Sequence, residues 1–191
     1  DLEHFRSVPA APPRGRVLGF FGLLAEWLDD ELIEATARAC PDWTLELVGP
    51  AQYVSPRWAA LPNVKVLPPC PYAGLPAAIS RWDAAWVPFR VNALTVGVNP
   101  LKLREYLAAG LPTLSTALPE ALSLQPAVNI VRAAGDVRRA LEEVLARDSA
   151  AARAARRAVV RDDGWDARAR ELRALVAAWA AARSAGEEAS R

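Results

Sequence analysis

The sequence contains no methionine, one histidine and two cysteines among its 191 residues. Because methionine is absent, Asp1 is not a translation start, and we expect the chain to be part of a longer protein. Since His4 is the single histidine, a His-based catalytic triad and a His-rich metal site are excluded within the chain. Cys40 and Cys70 have no metal-ligand spacing and are too few for a disulfide scaffold, so we expect no metal.

The chain also lacks long apolar runs and a strong excess of either charge. No run reaches the roughly 18 to 20 residues that span a bilayer, and the N-terminus has no signal-peptide pattern. A cytosolic location is therefore the expectation. The formal net charge is +1, which gives no long-range attraction for nucleic acid, so any anion site must be local. The composition, 52% hydrophobic and 24% charged, is typical of a globular domain.

Short apolar runs alternate with helical patterns along most of the chain. The predicted strands are 16–21, 43–48, 64–67, 83–88, 112–116 and 127–131. The predicted helices are one after Asp29, then 72–80, 100–109, 137–146, 149–160 and 165–183, with at most one short helical turn between the second and third strands. This order predicts an α/β fold, a doubly wound and mainly parallel six-stranded sheet with helices on both faces. We assign 1–15 to a linker, 16–183 to the domain and 184–191 to a frayed tail.

In an open parallel sheet, ligands bind beyond the carboxyl ends of the strands. Gly22 ends the first strand, where it either lets a ligand approach the backbone or simply makes a turn. The proline-rich segment 68–72 either stacks on a flat ring or serves as a rigid connector. Both interpretations stay open for each segment.

A third loop carries more information. Residues 84–104 include no acidic side chain but do include Arg90, Lys102 and Arg104. We expect Asn99 to cap the next helix with Pro100 at its first position, so that unpaired N–H groups and nearby cations form a phosphate site. Glu105 lies one turn beyond Lys102, where it could accept hydrogen bonds from a diol such as a ribose. The alternative is a capped helix with a Lys102–Glu105 surface ion pair.

The run from 99 to 112, NPLKLREYLAAGLP, closely resembles the donor-site helix of GT-B glycosyltransferases of the glycosyltransferase family 4 type. A Pro-x-Lys-x-x-Glu-Tyr-x-Ala-x-Gly-x-Pro pattern is common in that helix. Segments 20–29, 61–64, 75–76 and 82–89 resemble the same C-terminal domain in the same order. Residues 1–5 resemble the linker that enters it, and 165–168 resemble the start of the helix that returns to the other domain.

The resemblance implies one Rossmann-like half of a GT-B fold that binds a nucleoside diphosphate sugar, such as a UDP-sugar, as substrate and needs no metal or other cofactor. The acceptor and most catalytic residues would belong to a missing N-terminal domain, and any membrane association to the full-length enzyme. We expect such an enzyme to act in polysaccharide biosynthesis. The nucleotide base, the sugar and the acceptor stay open.

The resemblance also implies roles for individual residues. Glu105 would hold the ribose hydroxyls, while Lys102 would hold the diphosphate together with the helix start. The residues of that helix start are Asn99, Pro100 and Leu101. Gly22 would lie beneath the phosphates. The residues flanking the base would be Leu67, Pro69, Cys70 and Tyr72.

The sequence departs from the family pattern at two places. Family members usually carry a glutamate eight positions before the helix glutamate, near the transferred sugar, but that position is Gly97 here. They also often have a basic pair in the first loop, where this chain has only Glu26 and Asp29 as charged groups. Arg90 is a candidate substitute cation. Two alternatives follow: a nucleotide-sugar-binding domain without catalysis, and an interaction domain of the same fold without a ligand.

Overall fold

Six parallel strands form the centre of the computed structural model, which describes residues 2–8 and 15–189. They are β1 (Val17–Phe21), β2 (Thr44–Val48), β3 (Val64–Leu67), β4 (Ala84–Val87), β5 (Thr113–Ser115) and β6 (Val128–Ile130). Their order in the sheet is β3-β2-β1-β4-β5-β6, with every neighbouring pair parallel. The predicted fold class is confirmed, and each predicted strand is present.

Burial along the strands follows their place in the sheet. All four residues of β4 are buried, as expected for a central parallel strand covered on both faces. The edge strand β3 is different, because Lys65 and Val66 are exposed while Val64 is buried. The centre of the sheet, at β1 and β4, is therefore also the centre of the hydrophobic core.

Nine helices accompany the strands in the described part of the chain. They are α1 (Leu2–Arg6), α2 (Asp30–Ala39), α3 (Pro56–Ala59), α4 (Leu75–Ile79), α5 (Leu101–Ala109), α6 (Pro119–Ser123), α7 (Ala134–Arg147), α8 (Ala150–Val159) and α9 (Trp165–Ala189). The sequence patterns did not predict α1 and α6, because five residues are too few to display a helical period. The tail predicted to fray from 184 continues α9 as far as Ala189, and residues 190–191 lie outside the described part.

The position of α5 is fixed by a buried hydrogen bond to β1. The backbone N–H of Phe21 donates to the hydroxyl of Tyr106 over 3.0 Å, and the Tyr106 side chain is fully buried. Strands β2 and β3 lie on one side of β1, whereas β4, β5 and β6 lie on its other side. At such a change of direction, a crevice opens at the carboxyl ends of the two central strands, β1 and β4. The hydrogen bond therefore holds the start of α5 at this crevice.

The long helix α9 carries an uncovered apolar stripe. Leu172, Leu175, Val176 and Trp179 are each 56–63% exposed and recur at helical spacing on one face. Within residues 2–8 and 15–189, no helix combines the length and the apolar character needed to cross a membrane.

Candidate functional site

The end of β1 meets the first turn of α5 at Gly22 and Lys102. Gly22 has a φ of +142°, and a Cβ atom there would lie 2.1 Å from Lys102 Cε and 2.8 Å from its Nζ. This φ favours glycine, and a side chain at this position would displace the Lys102 ammonium group. The lysine ammonium also lies 5.8 Å from the centroid of the Phe20 ring. The end of β1 and the first turn of α5 thus form one surface with Lys102 across it.

Lys102 and Glu105 are half-buried on α5, and within the described residues neither side chain has a hydrogen bond or an ion pair. Burial lowers the pKa of Lys102 and raises the pKa of Glu105, while the charge of each opposes the shift of the other. The structure therefore contains no direct Lys102–Glu105 ion pair of the kind that the alternative interpretation requires. Two partly desolvated, unpaired charges are typical of a site that receives a ligand.

The start of α5 corrects the predicted cap. The N-cap is Pro100, not Asn99, and no side chain caps the helix. Asn99 Oδ1 instead accepts a hydrogen bond of 2.9 Å from Arg104. Proline fits the N-cap position because its fixed φ suits the residue just before the first helical residue. It has no N–H group, so Pro100 cannot donate a hydrogen bond to a phosphate. The amides available at the helix start are those of Leu101 and Lys102, since Leu103 already donates to the Pro100 carbonyl over 3.0 Å.

The loop after β3 lies near the same helix through Tyr72. The Glu105 charge contributes to a raised pKa of the Tyr72 hydroxyl, although burial is the larger cause. The Tyr72 ring is stacked on His4, with centroids 4.3 Å apart and planes 17° apart. Of the other predicted base-flanking residues, Leu67 ends β3 and is intermediate in exposure. Pro69 and Cys70 lie in this loop, where Pro69 is exposed and Cys70 intermediate. The charge of Glu105 therefore acts on the Tyr72 hydroxyl.

Sequence reasoning missed the wall that α1 adds to this region. His4 Nε2 lies 2.7 Å from the carbonyl oxygen of Tyr72, and Phe5 is fully buried with its ring 5.8 Å from that of Phe21. The adjacent aromatic residues His4 and Phe5 were the available signal, because a solvated linker has no reason to carry them. The N-terminal segment is therefore packed against the site.

Arg90 lies elsewhere. Its guanidinium pairs with Asp30 over 3.0 Å and donates to the Leu28 carbonyl over 2.9 Å. The cavity that it lines contains none of Gly22, Lys102 and Glu105. The structure does not bring Arg90 to the first turn of α5 as the predicted substitute cation.

Gly97 ends a short 3₁₀ turn, Thr95–Gly97, just before α5. A Cβ atom at Gly97 would meet no other atom within 4 Å. The position that carries glutamate in family members therefore has open space beside it here.

The crevice contains groups suited to binding a ligand. It offers an ammonium, two amides and a carboxylate, which suit an anion joined to a diol. No cluster of three or more His, Cys, Asp or Glu side chains arranged to hold a metal occurs among residues 2–8 and 15–189.

Comparison with known proteins identifies the family. The model of the glycosyl transferase-like family matches residues 29–174, which is well over half of the chain. TuaH of Bacillus subtilis (strain 168), named as a glycosyltransferase of teichuronic acid biosynthesis, is 33% identical over 136 residues. That alignment covers 65% of this chain and 34% of TuaH.

Solved structures share the fold at lower identity. Sucrose-phosphate synthase from Thermosynechococcus elongatus aligns with a TM-score of 0.64 and 18% identity, over 95% of this chain and 49% of that protein. Anabaena Alr3699/HepE, in complex with UDP and glucose, aligns with a TM-score of 0.56 and 18% identity, over 77% of this chain and 44% of its own. The chain spans less than half the length of each relative.

The sequence match establishes the family, and the structural matches establish the fold. The chain belongs to the glycosyl transferase-like family, and it shares its fold with part of sucrose-phosphate synthase.

Proposed function

We propose that this chain is the half of its glycosyltransferase that holds a nucleoside diphosphate sugar by its diphosphate and ribose. Lys102 and the amides of Leu101 and Lys102 bind the diphosphate. Glu105 accepts hydrogen bonds from the ribose hydroxyls. The loop from Leu67 to Tyr72 flanks the base.

The observation that carries the proposal is a pair of half-buried charges on the first turns of α5, which make no hydrogen bond or ion pair with the described residues. Burying a charge without a partner is costly, so such groups persist where a ligand completes them. Lys102 lies across Gly22 at the carboxyl end of β1, and Glu105 lies one turn further along the same helix. A ligand that meets both groups carries an anionic part and a hydrogen-bond donor about one helical turn apart, as a nucleoside diphosphate does.

The same groups suit the chemistry of sugar transfer. Negative charge grows on the diphosphate as the bond to the sugar breaks, and a fixed ammonium and helix-end amides stabilise that charge. We expect the acceptor and the remaining catalytic groups to come from a second domain. This chain alone should therefore bind the donor with little or no turnover.

We propose a UDP-sugar as the donor. The support is the HepE structure in complex with UDP and glucose, since that protein shares the fold of this chain. GDP tests the alternative base.

Titration calorimetry with UDP and GDP tests the proposal. We expect saturable binding of one nucleotide, and Glu105→Ala should weaken it about tenfold or more, since a hydrogen bond to a charged group contributes about 1.5 to 3 kcal/mol. Glu143→Ala, a change at an exposed glutamate on α7, is the matched control and should bind as the parent chain does. Absence of saturable binding of either nucleotide at millimolar concentration, or equal binding by both variants, contradicts the proposal.

Gly97 supports a second candidate, a domain that binds a nucleotide-sugar without transferring the sugar. The open space at this position lacks the carboxylate that family members place near the sugar. Joining the chain to its natural N-terminal half and measuring donor hydrolysis separates the two functions. Hydrolysis above the uncatalysed rate supports transfer, and its absence together with intact donor binding supports the second candidate.

A further inference from the structure

A second cavity of about 760 Å³ lies at the same edge of the sheet as the crevice. Its lining comes from the loops that follow β1, β2 and β4 and from Asp30, the first residue of α2. The loops contribute Glu26, Trp27, Gln52, Tyr53, Arg90 and Asn92. We call it the Trp27 cavity. A volume in the range of about 300 to 1,000 Å³ suits a small organic ligand.

Backbone hydrogen bonds hold the walls of the Trp27 cavity together. On one side, Leu24 N donates to the Pro50 carbonyl over 2.8 Å, and Gln52 N donates to the Leu24 carbonyl over 2.9 Å. On the other side, Arg90 N donates to the Trp27 carbonyl over 2.8 Å. The loop after β1 is thus bonded to both neighbouring loops, so the cavity is preformed.

The floor of the cavity is a satisfied polar network around Asp30. This carboxylate is 5% exposed and accepts hydrogen bonds from Trp58 Nε1 over 2.9 Å, Tyr53 Oη over 3.2 Å and Arg90 over 3.0 Å. Because the buried negative charge already has three donors, it needs no cation from a ligand. The charges of the floor therefore favour a neutral polar ligand over an ion.

The rim supplies polar groups that make no hydrogen bond within the described residues. They are the Glu26 carboxylate, the Gln52 amide and the Asn92 Nδ2 group, all on exposed residues. Two aromatic rings, Trp27 and Tyr53, stand among these groups. Flat apolar faces beside several free acceptors and donors match a pyranose, which has an apolar C–H face and a ring of hydroxyls.

We infer that the Trp27 cavity binds a pyranose. The hydroxyls meet Glu26, Gln52 and Asn92, and the sugar packs on Trp27. The sugar can come from the donor or from the acceptor, and the two sources share this chemistry. The choice of a sugar rests on the proposed function, but its test is separable because UDP carries no hexose.

The test uses Trp27→Ala and the double variant Glu26→Ala/Gln52→Ala. Trp27 is partly buried against the core, whereas Glu26 and Gln52 are exposed, so the double variant keeps the test open if Trp27→Ala unfolds. Trp179→Ala is the matched control, because that ring is 61% exposed on α9 and outside the cavity. Each protein is titrated with UDP and with UDP-glucose, UDP-galactose, UDP-N-acetylglucosamine and UDP-glucuronate, and is applied to an array of immobilised oligosaccharides.

We expect both cavity variants to bind UDP as the parent chain does. A loss of threefold or more for at least one UDP-sugar identifies the donor sugar as the occupant. A loss of tenfold or more on the array, with UDP-sugar binding unchanged, identifies the acceptor. Unchanged binding in both arms, or an equal loss for UDP and the UDP-sugars, overturns the inference. If the parent chain binds no UDP, the proposed function fails, and the array alone then decides the pyranose site.

Discussion

The crevice at α5 and the Trp27 cavity lie at one edge of the sheet, but their charged side chains differ in whether they have hydrogen-bond partners. In the crevice, Lys102 and Glu105 are half-buried without a hydrogen bond or an ion pair among the described residues. In the cavity, Asp30 has three donors, one of them Arg90. The first arrangement is incomplete without a ligand, and the second is complete as folded.

This difference distinguishes side chains available to bind a ligand from side chains that stabilise the fold. Arg90 and Lys102 belong to one acid-free stretch of sequence, and both could serve as phosphate ligands by composition alone. In the folded chain, Arg90 forms an ion pair with the buried carboxylate of Asp30, whereas Lys102 lies beside Gly22. Removing the Asp30 charge in the cavity should therefore lower the stability of the fold. Removing the Lys102 charge in the crevice should instead lower the affinity for the ligand.

The largest expected effect is on stability, from Asp30→Ala. It leaves the buried Trp58 N–H without an acceptor and breaks the ion pair with Arg90, which together should lower the free energy of unfolding by about 3 kcal/mol. Urea unfolding measures the change. Glu31→Ala, at the next residue of α2, removes only an exposed pairing with Arg57 and should cost less than about 1 kcal/mol. An equal cost in the two variants would show that Asp30 is not the support that its contacts indicate.

The next effect is on affinity, from Lys102→Ala. Loss of a charge-assisted contact to phosphate should weaken binding of the nucleoside diphosphate about 10- to 100-fold. The free energy of unfolding should stay the same or rise, because a desolvated charge is removed. Lys65→Ala changes the other lysine of the chain, exposed on β3, and should leave affinity unchanged. If both substitutions weaken binding equally, Lys102 has no special role.

A smaller effect concerns pH. Burial raises the pKa of Glu105 above its ordinary value of 4.5, so this residue contributes stability that is fully present below the unfolded-state pKa and is lost as pH rises through the folded-state pKa. Glu105→Gln should flatten that part of the curve of stability against pH just above 4.5. Thermal unfolding of both proteins from pH 4 to 7 measures it. Parallel curves would mean that the folded protein does not shift this carboxyl.

The smallest effect on the fold is expected from Gly97→Glu. Because nothing lies within 4 Å of a Cβ there, the free energy of unfolding should change by less than about 0.5 kcal/mol. A carboxylate at this position should strengthen binding of a UDP-sugar more than binding of UDP. Calorimetry with both ligands checks this selectivity. Equal changes for the two ligands would place the residue away from the sugar.

The sequence predicts the sheet well because its strands are short apolar runs bounded by glycine and proline. The run of apolar residues in β4 directly indicates that both faces of this strand are buried. Short helices such as α1 and α6 escaped prediction because they have fewer than two turns. The pairing of Phe21 with Tyr106 joins residues far apart in sequence, and no local pattern encodes such a contact.

The sequence motif predicts the candidate residues that lie close together along the chain. The sequence did not predict the parts of the region that depend on contacts between distant segments. Lys102 and Glu105 follow from helical spacing, and Gly22 follows from the end of a strand. Asn99 was given the cap because it is a good capping residue, but the helix begins after Pro100 and the amide instead bonds Arg104. The Trp27 cavity depends on three loops meeting, which only the folded chain determines.

The most direct test of the central claim is a thermodynamic cycle at Glu105. UDP and 2′-deoxy-UDP are each titrated into the parent chain and into Glu105→Ala. If Glu105 holds the ribose, loss of the 2′-hydroxyl should weaken binding about tenfold or more in the parent chain and add little in the variant. An equal loss in both proteins, or no saturable binding of UDP by the parent chain, would contradict the account.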